Sequence, residues 1–343
     1  MRAARAHYTI RCINHAGIVS TDVKKIDLEK KVIVLSLRRY PVSILSQTTQ
    51  QTIPELPKAA SMSDRKVVLI TGCSDGGLGS KLALSFHKTG RYRVIATARN
   101  LSKLADTRKA GIEELQLDVL SKDSISSCVK SLEALTGNRL DMLINNAGAG
   151  YAMPVLDIDI DEARKIFDLN VWSLVTVSKA FIPLLLKTPK SKIVNNISVV
   201  AYTAPPVQGV YNASKAAANS ITENLRLELK PFGIQVIALI TGGVKSNIES
   251  NSEKGKLPED SIYRVVPDGL TRMKGVDFDA IDADTWASQV VGDLSRESPP
   301  HQVWRGSNAR LVRLGALLPI GTFDSKLLTL SGFDEVEKAL ARK

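Results

Sequence analysis

Cysteine is scarce: Cys12, Cys73 and Cys128 are odd in number and widely spaced. None forms a Cys-x-x-Cys pair, so the sequence suggests neither a disulfide framework nor a zinc site. The four histidines, His7, His15, His87 and His301, are scattered without ligand spacing, and no metal is expected. Aromatic residues make up only 5%, with no basic block interleaved among them, which argues against nucleic-acid binding. Uninterrupted apolar runs of roughly 18 residues are missing, so no conventional membrane-spanning helix is expected. The N-terminus has no apolar h-region, which argues against a secretory signal. An intracellular, reduced compartment fits these absences.

The charge that is present sits mostly at one end. The chain has 343 residues and a formal charge of +11. Residues 1–61 hold ten basic and four acidic side chains, and so supply +6 of it. The remainder is ordinary for a domain that binds an anionic cofactor. Residues 1–20 carry arginines and no acid, which is one reading as a mitochondrial transit peptide. A disordered leader or an upstream gene-model extension is the other, since Met62 stands just before the first core strand. Residues 1–61 are therefore set outside the fold, and 62–343 are taken as one domain, with a substrate loop and C-terminal extension from about 245.

From Lys66 the pattern becomes regular. Val67-Val68-Leu69-Ile70 is a short apolar run ended by Thr71-Gly72, as expected of a strand buried on both faces. Further strands are expected at Arg93–Ala98, Leu115–Val119, Met142–Ile144, Lys192–Ile197 and Gln235–Ile240. Helices are expected after Gly79, at Ser121–Leu135, Asp161–Leu186 and Tyr211–Phe232. Strand and helix alternating in this way imply an α/β fold, a doubly wound parallel sheet of the Rossmann type.

Four constellations carry chemistry. Thr71-Gly72-Cys73-Ser74-Asp75-Gly76-Gly77-Leu78-Gly79 follows a strand and opens a helix. Glycines there let backbone approach a pyrophosphate, and the helix N-terminus offers free N–H groups. The second strand ends Ala98-Arg99-Asn100 without an acid, so Arg99 is placed to pair a 2′-phosphate and NADP(H) is preferred over NAD. Asp75 adds a nearby negative charge that does not help. Asn145-Asn146-Ala147-Gly148 and Asp118-Val119 end strands where a ligand crevice forms, although turn chemistry alone would also place them there. In Tyr211-Asn212-Ala213-Ser214-Lys215, tyrosine and lysine share a helix face. An ammonium beside the phenol is expected to lower its pKa from about 10 toward working pH, as a general acid/base requires. Ser198 lies thirteen residues before Tyr211, just past a strand, and Asn170 lies in the preceding long helix.

On these motifs, residues 66–250 resemble the short-chain dehydrogenase/reductase family. The resemblance implies that Tyr211 is the proton donor and that Ser198 bonds the substrate carbonyl. It further implies that Lys215 holds the nicotinamide ribose, and that Asn170 supports a relay water. Gly72, Ser74, Gly77, Leu78 and Gly79 would cradle the cofactor, with Asn146, Ala147 and Gly148 on the adenosine-ribose side and Asp118 and Val119 at the adenine. The family's Pro-Gly after the sixth strand is replaced by Thr241-Gly242, and Val244 and Ser246 of that turn are expected at the nicotinamide amide.

The stretches Ile240–Val244, Leu257–Tyr263 and Val303–Gly306 are similar to the fungal NADPH-dependent 1-acyldihydroxyacetone-phosphate reductases. This implies reduction of an acylated, phosphorylated ketone and residence at endoplasmic reticulum or lipid-droplet surfaces. A homo-oligomer is a family-level expectation. Lys245, Lys254, Lys256 and Arg264 could grip a phosphate, but Glu249, Glu253, Glu259 and Asp260 are interspersed, and a solvated loop is an equal reading. Arg310–Ile320 suits either packing on the sheet or contact with a lipid surface. A secondary-metabolite ketoreductase or alcohol dehydrogenase with a hydrophobic small-molecule substrate is the alternative function. A cofactor sensor or scaffold without turnover is the remote one.

Overall fold

A computed structural model describes residues 9–14, 17–27, 32–37, 65–247, 253–254, 257–265 and 280–341, with the first three stretches and 253–254 as backbone only. The chain divides into two units, Met1–Lys58 and Ala59–Lys343. In the first, β1 (Thr9–Asn14), β2 (Gly17–Asp27) and β3 (Val32–Leu37) form an antiparallel sheet in that order. The leader that charge and motif left outside the fold thus carries strands of its own. Its β-branched runs, Ile18-Val19 and Val32-Ile33-Val34, suit extended backbone.

The second unit begins with β4 (Lys66–Ile70), α1 (Leu78–Lys88), β5 (Tyr92–Ala98), α2 (Ala105–Lys109), β6 (Glu113–Gln116) and α3 (Lys122–Thr136). It continues with β7 (Met142–Asn145), β8 (Tyr151–Ala152), α4 (Ile160–Phe167), α5 (Ser173–Leu186), β9 (Lys192–Ser198) and α6 (Gly209–Leu229). The remainder is β10 (Gln235–Thr241), β11 (Glu253–Lys254), α7 (Ala283–Leu294), β12 (Gln302–Arg305), α8 (Ala309–Gly315), α9 (Asp324–Ser331) and α10 (Phe333–Leu340). Seven strands form a parallel sheet in the order β12-β10-β9-β7-β4-β5-β6.

Alternation along β4 explains the layers. Val68 and Ile70 point into a cluster with Leu82 and Phe86 of α1 and Trp286 and Val290 of α7. Val67 and Leu69 point the other way, onto Ile125 and Leu132 of α3 and Val177 and Phe181 of α5. The chain winds outward from β4 in both directions, so the carboxyl ends of β4 and its neighbours open a crevice at the switch point.

Three elements differ from their expected form. The third strand of this sheet ends at Gln116, because Asp118 turns the chain: its Oδ1 accepts the Leu120 N–H at 3.0 Å and its own N–H donates to Ser124 Oγ at 2.9 Å. The helix expected over 161–186 is interrupted by a π turn, Asp168–Trp172. Trp304, taken only as part of a motif, lies on β12, which extends the sheet beside β10.

The continuous helical stretch Ile160–Leu186 is long and apolar enough to cross a membrane by length and composition, although no uninterrupted apolar run marks it. Scattered Ser, Thr and Lys break the run without lowering the average below that threshold. Half of its most apolar window is buried inside the fold, against the sheet and α3. In the Arg310–Ile320 stretch, Ala309 and Val312 face the core, while Leu314, Leu317, Leu318 and Ile320 are exposed.

Candidate active site

The glycine turn is built by close backbone approach. Gly72 has φ +70°, and a Cβ there would lie 2.9 Å from Ala147 Cα. A Cβ on Gly79 would meet the Gly72 carbonyl oxygen and stand 2.6 Å from Asn146 Nδ2. The first turn of α1 therefore sits directly on the end of β4. Ser74 holds the turn through its carbonyl, which accepts the Gly77 N–H at 3.0 Å, and Leu78 packs on the core. No side chain caps the α1 N-terminus and no acid stands in its first turn. Those N–H groups and the space above the glycines fit a dinucleotide pyrophosphate.

Arg99 is exposed at the end of β5. Asp75, across the turn, directs its carboxylate away to the start of α2, where Oδ2 accepts the Ala105 N–H and Oδ1 the Asp106 N–H, each at 2.9 Å. It acts as a helix cap, which corrects its reading as a charge opposing a phosphate at Arg99. Val119 buries its side chain in the core, leaving only backbone for an adenine.

The four residues expected to do the chemistry converge. Ser198 faces the Tyr211 hydroxyl closely enough to favour its ionised form. Lys215 Nζ lies 5.9 Å from the Tyr211 ring centroid and donates to the Asn196 carbonyl at 3.0 Å. Asn170 occupies the π turn, whose wider winding aims its amide at the loop after β7. There Oδ1 accepts the Ala149 N–H at 3.0 Å, while Nδ2 donates to Ala149 O at 2.9 Å and to Ser214 Oγ at 3.0 Å. Gly148 is pressed between them: a Cβ would stand 3.0 Å from Asn170 Oδ1 and 3.5 Å from Lys215 Nζ.

Burial governs the titration of this group. It pushes Lys215 down to about 8. The Tyr211 phenol is raised above its usual value by burial, and the Ser198 side chain opposes that only in part. The expectation that Lys215 draws the phenol toward neutral pH is therefore corrected. Loss of water sets the direction, and the phenol keeps its proton at neutral pH.

Sequence reasoning named Thr71 and Thr241 within motifs but gave them no role, and missed Asn195, Asn196 and Asn247. Thr71 Oγ1 accepts the N–H groups of Asn146 and Ala147 at 2.9 and 3.0 Å. Asn145 and Asn195 stand opposite each other on β7 and β9. Asn145 Nδ2 donates to Asn195 Oδ1 at 2.8 Å and to Ser178 Oγ at 3.0 Å, and Asn195 Nδ2 donates to Thr222 Oγ1 at 3.0 Å, tying α5 and α6 to the sheet. Repetition of Asn-Asn at two strand ends was the available signal. After β10, Val244 bridges to Ile281 and Ser246 is half-buried. Asn247 returns to the glycine turn, Nδ2 donating to Asp75 O at 3.1 Å.

In the following loop, Lys245 is exposed, and Arg264 donates to Leu257 O at 3.3 Å. Of Glu253 and Lys254 only the backbone is described, and Glu249 and Lys256 lie outside the described residues. Ser261 Oγ donates to Asp157 Oδ2 at 2.6 Å, which holds the loop against the segment before α4.

Residues 66–257 match the short chain dehydrogenase family. A short-chain dehydrogenase/reductase of Pestalotiopsis microspora is 45% identical over 283 residues, covering 81% of this chain and 98% of its own. The NADPH-dependent 1-acyldihydroxyacetone phosphate reductase of Schizosaccharomyces pombe is 37% identical over 278 residues, 76% of this chain and 93% of its own. Among solved structures, a short-chain dehydrogenase from Streptomyces avermitilis superposes with a TM-score of 0.64 at 27% identity, covering 80% of this chain and 99% of its own. Crevice, matched residues and relatives agree, and the chain belongs to the short-chain dehydrogenase family.

Proposed function

We propose that this protein reduces a ketone to a secondary alcohol with NADPH, and that its substrate is an acylated dihydroxyacetone phosphate, giving lysophosphatidic acid. The observation that carries the reaction type is the convergence of Ser198 and Lys215 on Tyr211, with Lys215 Nζ 5.9 Å from its ring centroid. NADPH, held on the α1 N-terminus and the glycines, supplies the hydride. Ser198 bonds the carbonyl oxygen, and Tyr211 delivers the proton to that oxygen as the carbon is reduced. Lys215 binds the nicotinamide ribose, Asn170 supports a relay water, and Arg99 pairs the 2′-phosphate, which Asp75 does not contest because it faces α2.

The relative from Schizosaccharomyces pombe supports the lipid substrate and the cofactor. The exposed Leu314, Leu317 and Ile320 beside Arg310 and Arg313 support peripheral contact with a lipid surface, as at endoplasmic reticulum or lipid droplets. A homo-oligomer is part of the same proposal. A second reading, a non-phosphorylated ketone of a fungal biosynthetic pathway, draws on one feature of the loop: Lys245 is exposed and Arg264 donates to its own loop at Leu257 O. The test is NADPH consumption with 1-acyldihydroxyacetone phosphate against a panel of non-phosphorylated ketones. Preference for the phosphorylated lipid is the expected result. Turnover confined to the other ketones would overturn the substrate and keep the chemistry.

A further inference from the structure

A line of side chains crosses the carboxyl ends of four adjacent strands. Thr241 Oγ1, on β10, donates to Asn196 Oδ1 of β9 at 2.7 Å. Asn196 Nδ2 donates to Asn146 Oδ1, just past β7, at 2.9 Å. Asn146 Nδ2 donates to the carbonyls of Thr71 and Gly72, at the end of β4, at 2.9 and 3.2 Å. Every bond runs the same way, and the line ends on the turn whose glycines shape the cofactor crevice. The backbone carbonyl of Asn196 also receives Lys215 Nζ. One residue therefore touches Lys215 directly and reaches the cofactor turn through Asn146.

Direction in such a line is set at its far end. An asparagine amide has an acceptor end and a donor end of almost the same shape. The Thr71 and Gly72 carbonyls can only accept, so Asn146 turns Nδ2 to them and Oδ1 to Asn196. Asn196 answers with Nδ2, which leaves its own Oδ1 facing Thr241. Thr241 is only 8% exposed, and its hydroxyl rotates to give that oxygen a donor. Without the hydroxyl, Oδ1 loses the hydrogen bond that ties the Asn196 side chain to β10.

We propose that Thr241 is a positioning residue that anchors the Asn196 side chain, and through it steadies both Lys215 and the glycine turn. This rests on the reductase reading above for its catalytic consequence, but not for its effect on the cofactor. The experiment compares full-length Thr241→Val and Thr241→Ser with the parent protein. NADPH affinity, kcat and KM for a reducible ketone, and the pH profile of reduction are measured. Thr241→Val is expected to weaken NADPH binding and lower kcat, each by up to about tenfold, the scale of one lost internal hydrogen bond. Its alkaline fall in rate should begin at lower pH, because a looser carbonyl favours the Lys215 ammonium less. Thr241→Ser should restore all three.

A residue that only supports the fold would lower thermal stability and leave the pH profile in place. Parent-like affinity and pH profile in Thr241→Val would overturn the proposal. Should that variant fail to fold, Asn196→Asp removes the donor to Asn146 at nearly unchanged shape, and the same losses decide the matter. A parent protein inactive on every ketone would end the reductase reading, and the difference in NADPH affinity between the valine and serine variants would then decide this one alone.

Discussion

At the scale of single residues, the site is a half-buried phenol beside a buried amine. Burial holds Tyr211 protonated and brings Lys215 down to about 8. The sign for reduction follows. Tyr211 must carry a proton, and does so throughout the neutral range. Lys215 is an ammonium below about 8 and is lost as pH rises through it, so the rate of reduction should be level near neutrality and fall above that point. A profile that rises between pH 7 and 9, measured under saturating NADPH, would contradict this order of titration. Tyr211→Phe keeps the ring and removes the proton donor. Turnover should drop by about 10²–10⁴-fold, with NADPH binding, followed by fluorescence titration, nearly unchanged. An active phenylalanine variant would reassign the acid.

At the scale of elements, the fold's weight falls where backbone meets backbone. Gly79→Ala places a methyl on the Gly72 carbonyl and the Asn146 amide. Neither can retreat, since Asn146 is anchored to the Thr71 and Gly72 carbonyls. A loss of about 1–3 kcal/mol in urea unfolding, the scale of an overpacked core, is expected together with weaker NADPH binding. Much of this level was legible in the sequence. The apolar runs at β4, β7, β9 and β10 and the glycines after β4 carry strong local signals, because strands buried on both faces are continuous in hydrophobicity. What was not legible depended on contacts distant along the chain. The π turn at Asp168–Trp172 has no local marker, and its consequence is a hydrogen bond from Asn170 to Ser214, 44 residues away. Asp75 looked like a charge in the crevice because its partners, the N–H groups of Ala105 and Asp106, lie 30 and 31 residues on. The effect of Lys215 on Tyr211 was misjudged for a related reason: spacing gives proximity, but burial belongs to the folded whole.

At the scale of the molecule, the chain divides into two compact units. A chain begun at Met62 should fold and consume NADPH at a rate within about twofold of the full chain, since a compact unit with its own core can fold alone; a loss of tenfold or more would give the leader a part in catalysis. The side chains proposed for the chemistry are all in place by Lys215, yet the crevice is not finished there. Beyond β10 the chain runs another 64 residues before Gly306 comes back against Gly242, so close that a Cβ on Gly306 would lie 2.8 Å from the Gly242 nitrogen. Gly243 and Ser307 then close the contact, each N–H donating to the other's carbonyl. During synthesis, which proceeds from the N-terminus, the emerging chain holds its complete chemical equipment long before it holds a closed nicotinamide end. A ribosome stalled ahead of Gly306 would present a protein with its acid, its amine and its glycine cradle, and with the door frame still missing one side.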